Sequence, residues 1–317
     1  MKKDNDRVLG GLLGVAVGDA LGAPLEFCMA EEIKAKHGGE VREMIGGGWL
    51  NVAPGEITDD TEMTLAVAEG IVENPVDPIP AIGRRFIEWY DSNPKDIGNC
   101  CRAVITYAKA DGATDLQGWL KAAKRVHEET GGQTAGNGAL MRTVYPALWH
   151  GKNGFHAAAG ISSMTHLHDH STLAVRAYSL AIADVIVDIP GDDEIGWRKE
   201  SVVLHMKRVR DVIDERKLRP DGYVLNSLIY AANAIRDTDN FEEALVQAVN
   251  LGGDSDTIGA ITGGLAGAIY GAKAIPRRWA EALDKGIVQR IKRLAEQATN
   301  NIYYKALWLL PLCFYLY

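Results

Sequence analysis

The chain has 317 residues, 47% of them hydrophobic and 24% charged, which is the make-up of an ordinary globular fold and not of a disordered or fibrous one. Asp and Glu number 42 against 34 Lys and Arg, a formal net charge of −8 with no basic run. That balance argues against a nucleic-acid backbone as main partner and suits a cation site, although solubility alone also explains such acidity. Cys28, Cys100, Cys101 and Cys313 form no CxxC and no zinc-finger spacing, so reduced thiols in a cytoplasmic protein are expected.

The N-terminal MKKDNDRVLGG places acids straight after its lysines and makes a poor secretory signal. No transmembrane segment is expected, because no stretch approaches the roughly 20 apolar residues a span needs. From Val8 to Leu21 the pattern predicts a helix with Gly10, Gly14, Gly18 and Gly22 on one side, where a second backbone can approach. The same spacing returns at Gly259, Gly263, Gly267 and Gly271. The two stripes predict a close helix pair that brings their neighbouring acids together. After the first stripe, Pro24 ends the helix, and Glu26 is either a surface acid between Leu25 and Phe27 or a carboxylate directed inward. Gly46-Gly47-Gly48-Trp49-Leu50 reads as a flexible loop with an aromatic, of the kind whose amides can approach phosphates.

Ile57-Thr58-Asp59-Asp60-Thr61-Glu62-Met63 crowds three acids in front of an apolar helical run, Leu65 to Val72. A helix cap explains one acceptor there, but packed carboxylates repel one another unless a proton or a cation compensates. Residues 78–91 and 97–109 read as amphipathic helices, with Asp96 and Asn99 at the start of the second as caps or as site residues. Another helix is expected over 115–129. Gly136-Asn137-Gly138-Ala139-Leu140-Met141-Arg142 reads as a turn entering a helix, whose amides and Arg142 suit a diphosphate.

Thr165-His166-Leu167-His168-Asp169-His170 precedes an apolar run from Leu173 to Val187. Only His166 and His170 would share a helical face and no Cys or acid completes a tetrahedron, so a capped helix start with one functional histidine outranks zinc. Residues 194–216 read as one charged, solvated helix, and 223–236 and 241–250 as buried ones. Gly252-Gly253-Asp254-Ser255-Asp256-Thr257 then repeats the acid-plus-threonine pattern ahead of an apolar helix. Residues 75–80 and 189–193 read as loops, 277–299 as an amphipathic basic segment, and 306–317 as an apolar tail. That tail could dock on the core, on a second subunit or on a regulatory protein partner. With no alternating β pattern, one all-α domain is expected. The two acid clusters offer hard oxygen donors without Cys or His, the ligand type for Mg²⁺ or Mn²⁺.

Gly18-Asp19-Ala20-Leu21-Gly22 with Glu26, TDDT at 58–61, GNG at 136–138 with Met141-Arg142, Thr165-His166 and GGDSDT at 252–257 together resemble the ADP-ribosylglycohydrolases. Order and rough spacing agree over nearly the whole chain. MIGGGWL, PGEITDDTEM and DIGN resemble especially the dinitrogenase reductase-activating branch. The resemblance implies a single compact multi-helix all-α domain, taken as 1–305, with two divalent cations, Mg²⁺ or Mn²⁺; the 306–317 tail finds no counterpart in the family. Implied ligands are Glu26, Thr58, Asp59, Asp60, Asp254, Asp256 and Thr257. Implied substrate contacts are Gly47, Gly48, Asn99, Gly136, Asn137, Gly138, His166 and Tyr223. Asp96 is the first choice as catalytic base and Glu26 its competitor. The implied activity is hydrolysis of the N-glycosidic bond between ADP-ribose and an arginine of an ADP-ribosylated protein, reversing mono-ADP-ribosylation, with nitrogenase reductase and nitrogen fixation as the setting in that branch. Cys100 departs from the threonine common in the DIGN motif, which bears on contacts around Asn99. The alternatives are another ADP-ribose linkage (serine or nucleic acid), a two-metal phosphoesterase, and a non-catalytic ADP-ribose-binding relative.

Overall fold

The computed structural model describes residues 3–187, 194–214 and 217–301. Helices make up the architecture, and among the described residues there is no strand, only isolated bridges. The chain runs through α1 (Asn5–Gly22), α2 (Ala30–His37), α3 (Asp59–Glu73), α4 (Ile79–Asp91), α5 (Asn99–Ala110) and α6 (Leu116–Glu129). It continues with α7 (Val144–His150), α8 (Gly154–Ser163), α9 (Asp169–Val185), α10 (Glu194–His205) and α11 (Lys207–Val212). The last are α12 (Val224–Asp237), α13 (Phe241–Val249), α14 (Ser255–Tyr270), α15 (Arg277–Ala282) and α16 (Lys285–Thr299). One continuous apolar core joins nearly all of them.

The two glycine stripes meet as expected, along α1 and α14. A Cβ on Gly14 would sit 2.0 Å from the Gly263 carbonyl oxygen, and one on Gly18 the same distance from that of Gly259. Gly10 meets Gly267 and Gly22 meets Ser255 in the same way, so the helices run antiparallel. No side chain larger than hydrogen fits this seam, which offsets the roughly 1 kcal/mol helix cost of each glycine. The register places the C-terminal end of α1 beside the N-terminal end of α14, and the acids of both ends with them.

Several expectations need correction. Residues 5–25 are long and apolar enough to cross a membrane, with mean hydropathy 1.7, although the sequence reading found no such stretch. That segment is 94% buried inside the protein, which marks a core helix. The charged region after residue 194 is two helices, not one solvated one, because Arg198, Ser201, Val202 and Val209 are buried. The Arg198 guanidinium spends its charge on the Val187 carbonyl at 2.9 Å and on Glu194. The 277–299 segment is likewise split, by the turn between α15 and α16. The loop at 189–193 and the 306–317 tail lie outside the described residues.

Candidate functional site

Asp19 lies on α1, fully buried in an otherwise apolar helix. Its carboxylate accepts from the Thr58 N–H at 3.0 Å and hydroxyl at 2.8 Å, and from the Thr61 N–H at 3.1 Å and hydroxyl at 2.5 Å. A carboxylate from another helix therefore caps α3, and Thr58, the residue at the N-cap position, makes no side-chain cap. Asp59 and Asp60 are thereby relieved of capping their own helix. Burial raises Asp19 to about 6 in spite of the four donors.

The second cluster is set by glycines that no other residue can replace. Gly252 and Gly253 have φ of 68° and 64°, and a Cβ on Gly253 would lie 1.7 Å from the Pro220 carbonyl oxygen. The Gly253 N–H donates to the Cys28 carbonyl at 2.8 Å, and the Phe27 N–H donates to the Gly253 carbonyl at 2.6 Å. This clamp ties the segment after α1 to the start of α14 and carries Glu26 inward, resolving the open reading of that residue. Glu26, Asp96 and Asp256 each offer a carboxylate oxygen within 4.8 Å of the others. Asp96 does not cap α5, whose N-cap is Gly98 without a side-chain bond.

Asp60 and Asp256 are buried, and the Thr257 hydroxyl donates to Asp60 Oδ2 at 3.3 Å. Asp60 Oδ1 is buried with no hydrogen-bond partner. Asn137 holds Asp254 through its amide at 2.8 Å and donates also to the Ser227 hydroxyl at 2.9 Å. Burial pushes Asp59, Asp60 and Asp256 well above the usual carboxylate range, and the charges acting most on them are other carboxylates. Burial raises Glu26 to about 8, with Asp254 and Asp96 adding to the rise, and raises Asp96 too. These acids cannot all ionise together without positive charge among them. An orphaned buried oxygen amid hard oxygen donors fits a Mg²⁺- or Mn²⁺-type cation and not zinc. A cavity of about 80 Å³ borders the cluster, lined in part by Thr58, Asp59 and Asp96.

A neutral wall adjoins the acids. His166 is buried, and its Nδ1 lies 2.8 Å from the Thr165 hydroxyl, which accepts from Arg142 Nη2 at 2.6 Å. Burial and the nearby guanidinium lower His166 to about 3, so the ring is neutral. Its ring edge faces the GNG turn, within 3.2 Å of where a Cβ on Gly136 would stand and 3.3 Å of one on Gly138. Arg142 itself was expected to meet a diphosphate, and it does not. It is fully buried under the Phe86 ring, 4.7 Å from the centroid, and donates to the Gly138 carbonyl at 3.1 Å. Tyr223 precedes α12, with its hydroxyl 2.6 Å from His170 Nδ1. His168 caps α9, and the His166–His170 stretch forms no metal group among the described residues.

Of the loop glycines, Gly47 has its N–H committed to the Val52 carbonyl at 2.7 Å, and Gly48 seats the turn on Ala23 and Pro24. The Asn137 N–H is committed to the Gly222 carbonyl at 2.9 Å. Asn99 is exposed at the start of α5. Two residues escaped the sequence reading as site members: Asp19, whose signal was a lone acid in an apolar glycine-striped helix, and Trp49, whose indole N–H donates to Glu26.

Buried carboxylates gathered in a cleft of an all-α fold define a candidate acid-rich centre, and comparison with known proteins supplies the family. The chain matches the ADP-ribosylglycohydrolase family over residues 1–306 and belongs to it. It is 34% identical over 293 residues to the ADP-ribosyl-[dinitrogen reductase] glycohydrolase of Rhodospirillum rubrum, covering 91% of this chain and 94% of that one. It is 31% identical to the ADP-ribosylarginine hydrolase Tri1 of Serratia proteamaculans, covering 92% of this chain and 78% of the relative. A solved structure described as an ADP-ribosylglycohydrolase-related protein complex superimposes with a TM-score of 0.76 at 30% identity, covering 96% of this chain and 99% of that one.

Proposed function

We propose that this protein hydrolyses the N-glycosidic bond between ADP-ribose and an arginine side chain of a protein, with two divalent cations, Mg²⁺ or Mn²⁺, held by Glu26, Thr58, Asp59, Asp60, Asp254, Asp256 and Thr257. The observation that carries this reading is the gathering of Glu26, Asp96 and Asp256 within 4.8 Å of one another in the same acid-rich site as the buried, unpartnered Asp60 Oδ1. Thr58 and Thr257 give their hydroxyl protons to Asp19 and Asp60, which leaves oxygen lone pairs for a cation. When bound, the cations supply positive charge and Lewis acidity for ribose oxygens and water.

The chain's own residues then act as follows. Carboxylates around the ribose favour the positive charge that builds on the sugar as the C1′–N bond breaks and its electron pair leaves with the guanidine. Asp96, among these carboxylates and raised by burial, takes the proton of the attacking water as the hydroxyl joins C1′. Glu26, raised further, is the competing base. Asn137, with Gly136 and Gly138, neutral His166 and Tyr223 line the side that receives the nucleotide, and Gly47, Gly48 and Asn99 complete the rim. Dinitrogen reductase, named for the R. rubrum relative, is the acceptor to test first. The test is ADP-ribose release from arginine- and serine-linked peptides with and without chelator. Metal-dependent release from the arginine peptide alone is expected; release that ignores the chelator, or that favours serine, rejects the reading.

A further inference from the structure

Among the described residues nine large apolar side chains stand open, and two of them, both aromatic, touch each other beside the carboxylates. Phe27 is 68% exposed and Trp49 54%, with ring centroids 5.4 Å apart and planes tilted by 45°. Both are mounted on fixed backbone. Phe27 follows Glu26 directly, with φ of 61° held by the bond from its N–H to Gly253. A left-handed conformation is costly for a bulky residue and persists where its surroundings impose it. Trp49 rides a turn closed by Gly47 and Val52, whose N–H groups donate to each other's carbonyls at 2.7 and 3.0 Å. Its indole N–H reaches Glu26, whose carboxylate belongs to the group with Asp96 and Asp256. An exposed aromatic pair adjoining an acidic centre presents two π faces next to negative charge. That is the environment a planar, weakly hydrated cation prefers over bulk water.

We propose that Phe27 and Trp49 form the seat of the acceptor arginine, whose guanidinium and methylene stem lie against the two rings while the sugar sits among the carboxylates. This rests on the arginine-linkage reading above and deepens it. The pair makes the linkage selective, because a serine-linked acceptor offers neither a delocalised cation nor a stem to cover the rings. It also holds the leaving guanidine in line as the bond to C1′ breaks.

The experiment uses the metal-loaded full chain, one arginine-linked and one serine-linked ADP-ribosyl peptide, and ADP-ribose alone as a binding probe. Trp49→Ala and Phe27→Asn (Asn tolerates the left-handed backbone) are each expected to raise KM for the arginine peptide about tenfold. Trp49→Phe, which keeps a ring and removes the indole N–H, is expected to stay within about threefold of wild type. Affinity for ADP-ribose is expected to change less than about twofold in all three. If Trp49→Phe is as damaging as Trp49→Ala, the residue acts through its bond to Glu26 and the seat is rejected. An equal loss of ADP-ribose affinity also rejects it. An active wild type matched by its Ala and Asn variants overturns this inference alone, whereas a wild type inactive on the arginine peptide overturns it together with the reading beneath it.

Discussion

Two buried regions of this molecule handle charge in opposite ways. Around Asp60 and Asp256, carboxylates are packed against one another and one oxygen has no partner. A few residues away, Arg142 is buried without a carboxylate, its charge spread over the Thr165 hydroxyl, the Gly138 carbonyl and the Phe86 ring. The guanidinium is a single charge among neutral acceptors, bonded through Nη1 and Nη2 although its Nε has no partner, and it braces the wall that carries His166. The carboxylates have mainly one another as charged neighbours, which is why the proposed cations are placed among them. What separates the two regions is the crowding of like charge: carboxylates beside carboxylates call for a cation, and a lone guanidinium among neutral acceptors does not call for an anion.

The largest contrast is expected from removing one member of each region. Asp256→Asn should bring hydrolase activity to background while stabilising the metal-free protein by about 1 kcal/mol, since it relieves repulsion that function requires. Arg142→Ala should do the reverse to stability, costing about 3 kcal/mol through a cavity and stranded acceptors. Urea midpoints with chelator present check both, and a destabilised Asp256→Asn would erase the distinction between the regions. Asp96→Asn is expected to lower kcat by about 10²-fold or more with cation affinity little changed, measured by turnover and by metal titration.

The pH response sharpens the same comparison. Glu26 rises from an ordinary 4.5 to about 8 and Asp19 from 3.8 to about 6, so the folded form holds these protons more tightly than the unfolded chain. The stability they contribute is complete at acid pH below their unfolded values and is lost as pH rises through 6 and then 8. Metal-free protein should therefore melt several degrees lower at roughly pH 8 than at roughly pH 5, with Mn²⁺ removing the difference. A metal-free melting point that climbs over this range contradicts the assignment. The smallest effect is expected at the wall: Tyr223→Phe, which loses the bond to His170, should weaken ADP-ribose binding about fivefold.

The glycine seam could be read from residue spacing, because a four-residue glycine period has one geometric consequence on a helix. The paired acid clusters were equally plain, since a cap needs one acceptor and each cluster holds more. Asp19 was not, although it holds α3 in place, because nothing in its local sequence names Thr58 and Thr61 as its donors. Arg142 was misplaced for a related reason: a turn-plus-arginine motif does not reveal which way the side chain points, and Phe86 lies 56 positions earlier in the chain. Helices α2 and α8 passed unnoticed. α2 is short and buries only Ile33, and α8 is mostly Gly, Ala and Ser without a strong apolar period. The inward turn of Glu26 depended on a bond to Gly253, which is 227 positions further along the chain.

The most direct test titrates Mn²⁺ into the metal-free protein at neutral pH while recording both heat and protons released. The account predicts saturable binding of about two ions per chain, with protons expelled from the carboxylates and the response abolished in Asp60→Asn. Binding without proton release, or binding left intact by Asp60→Asn, would contradict it.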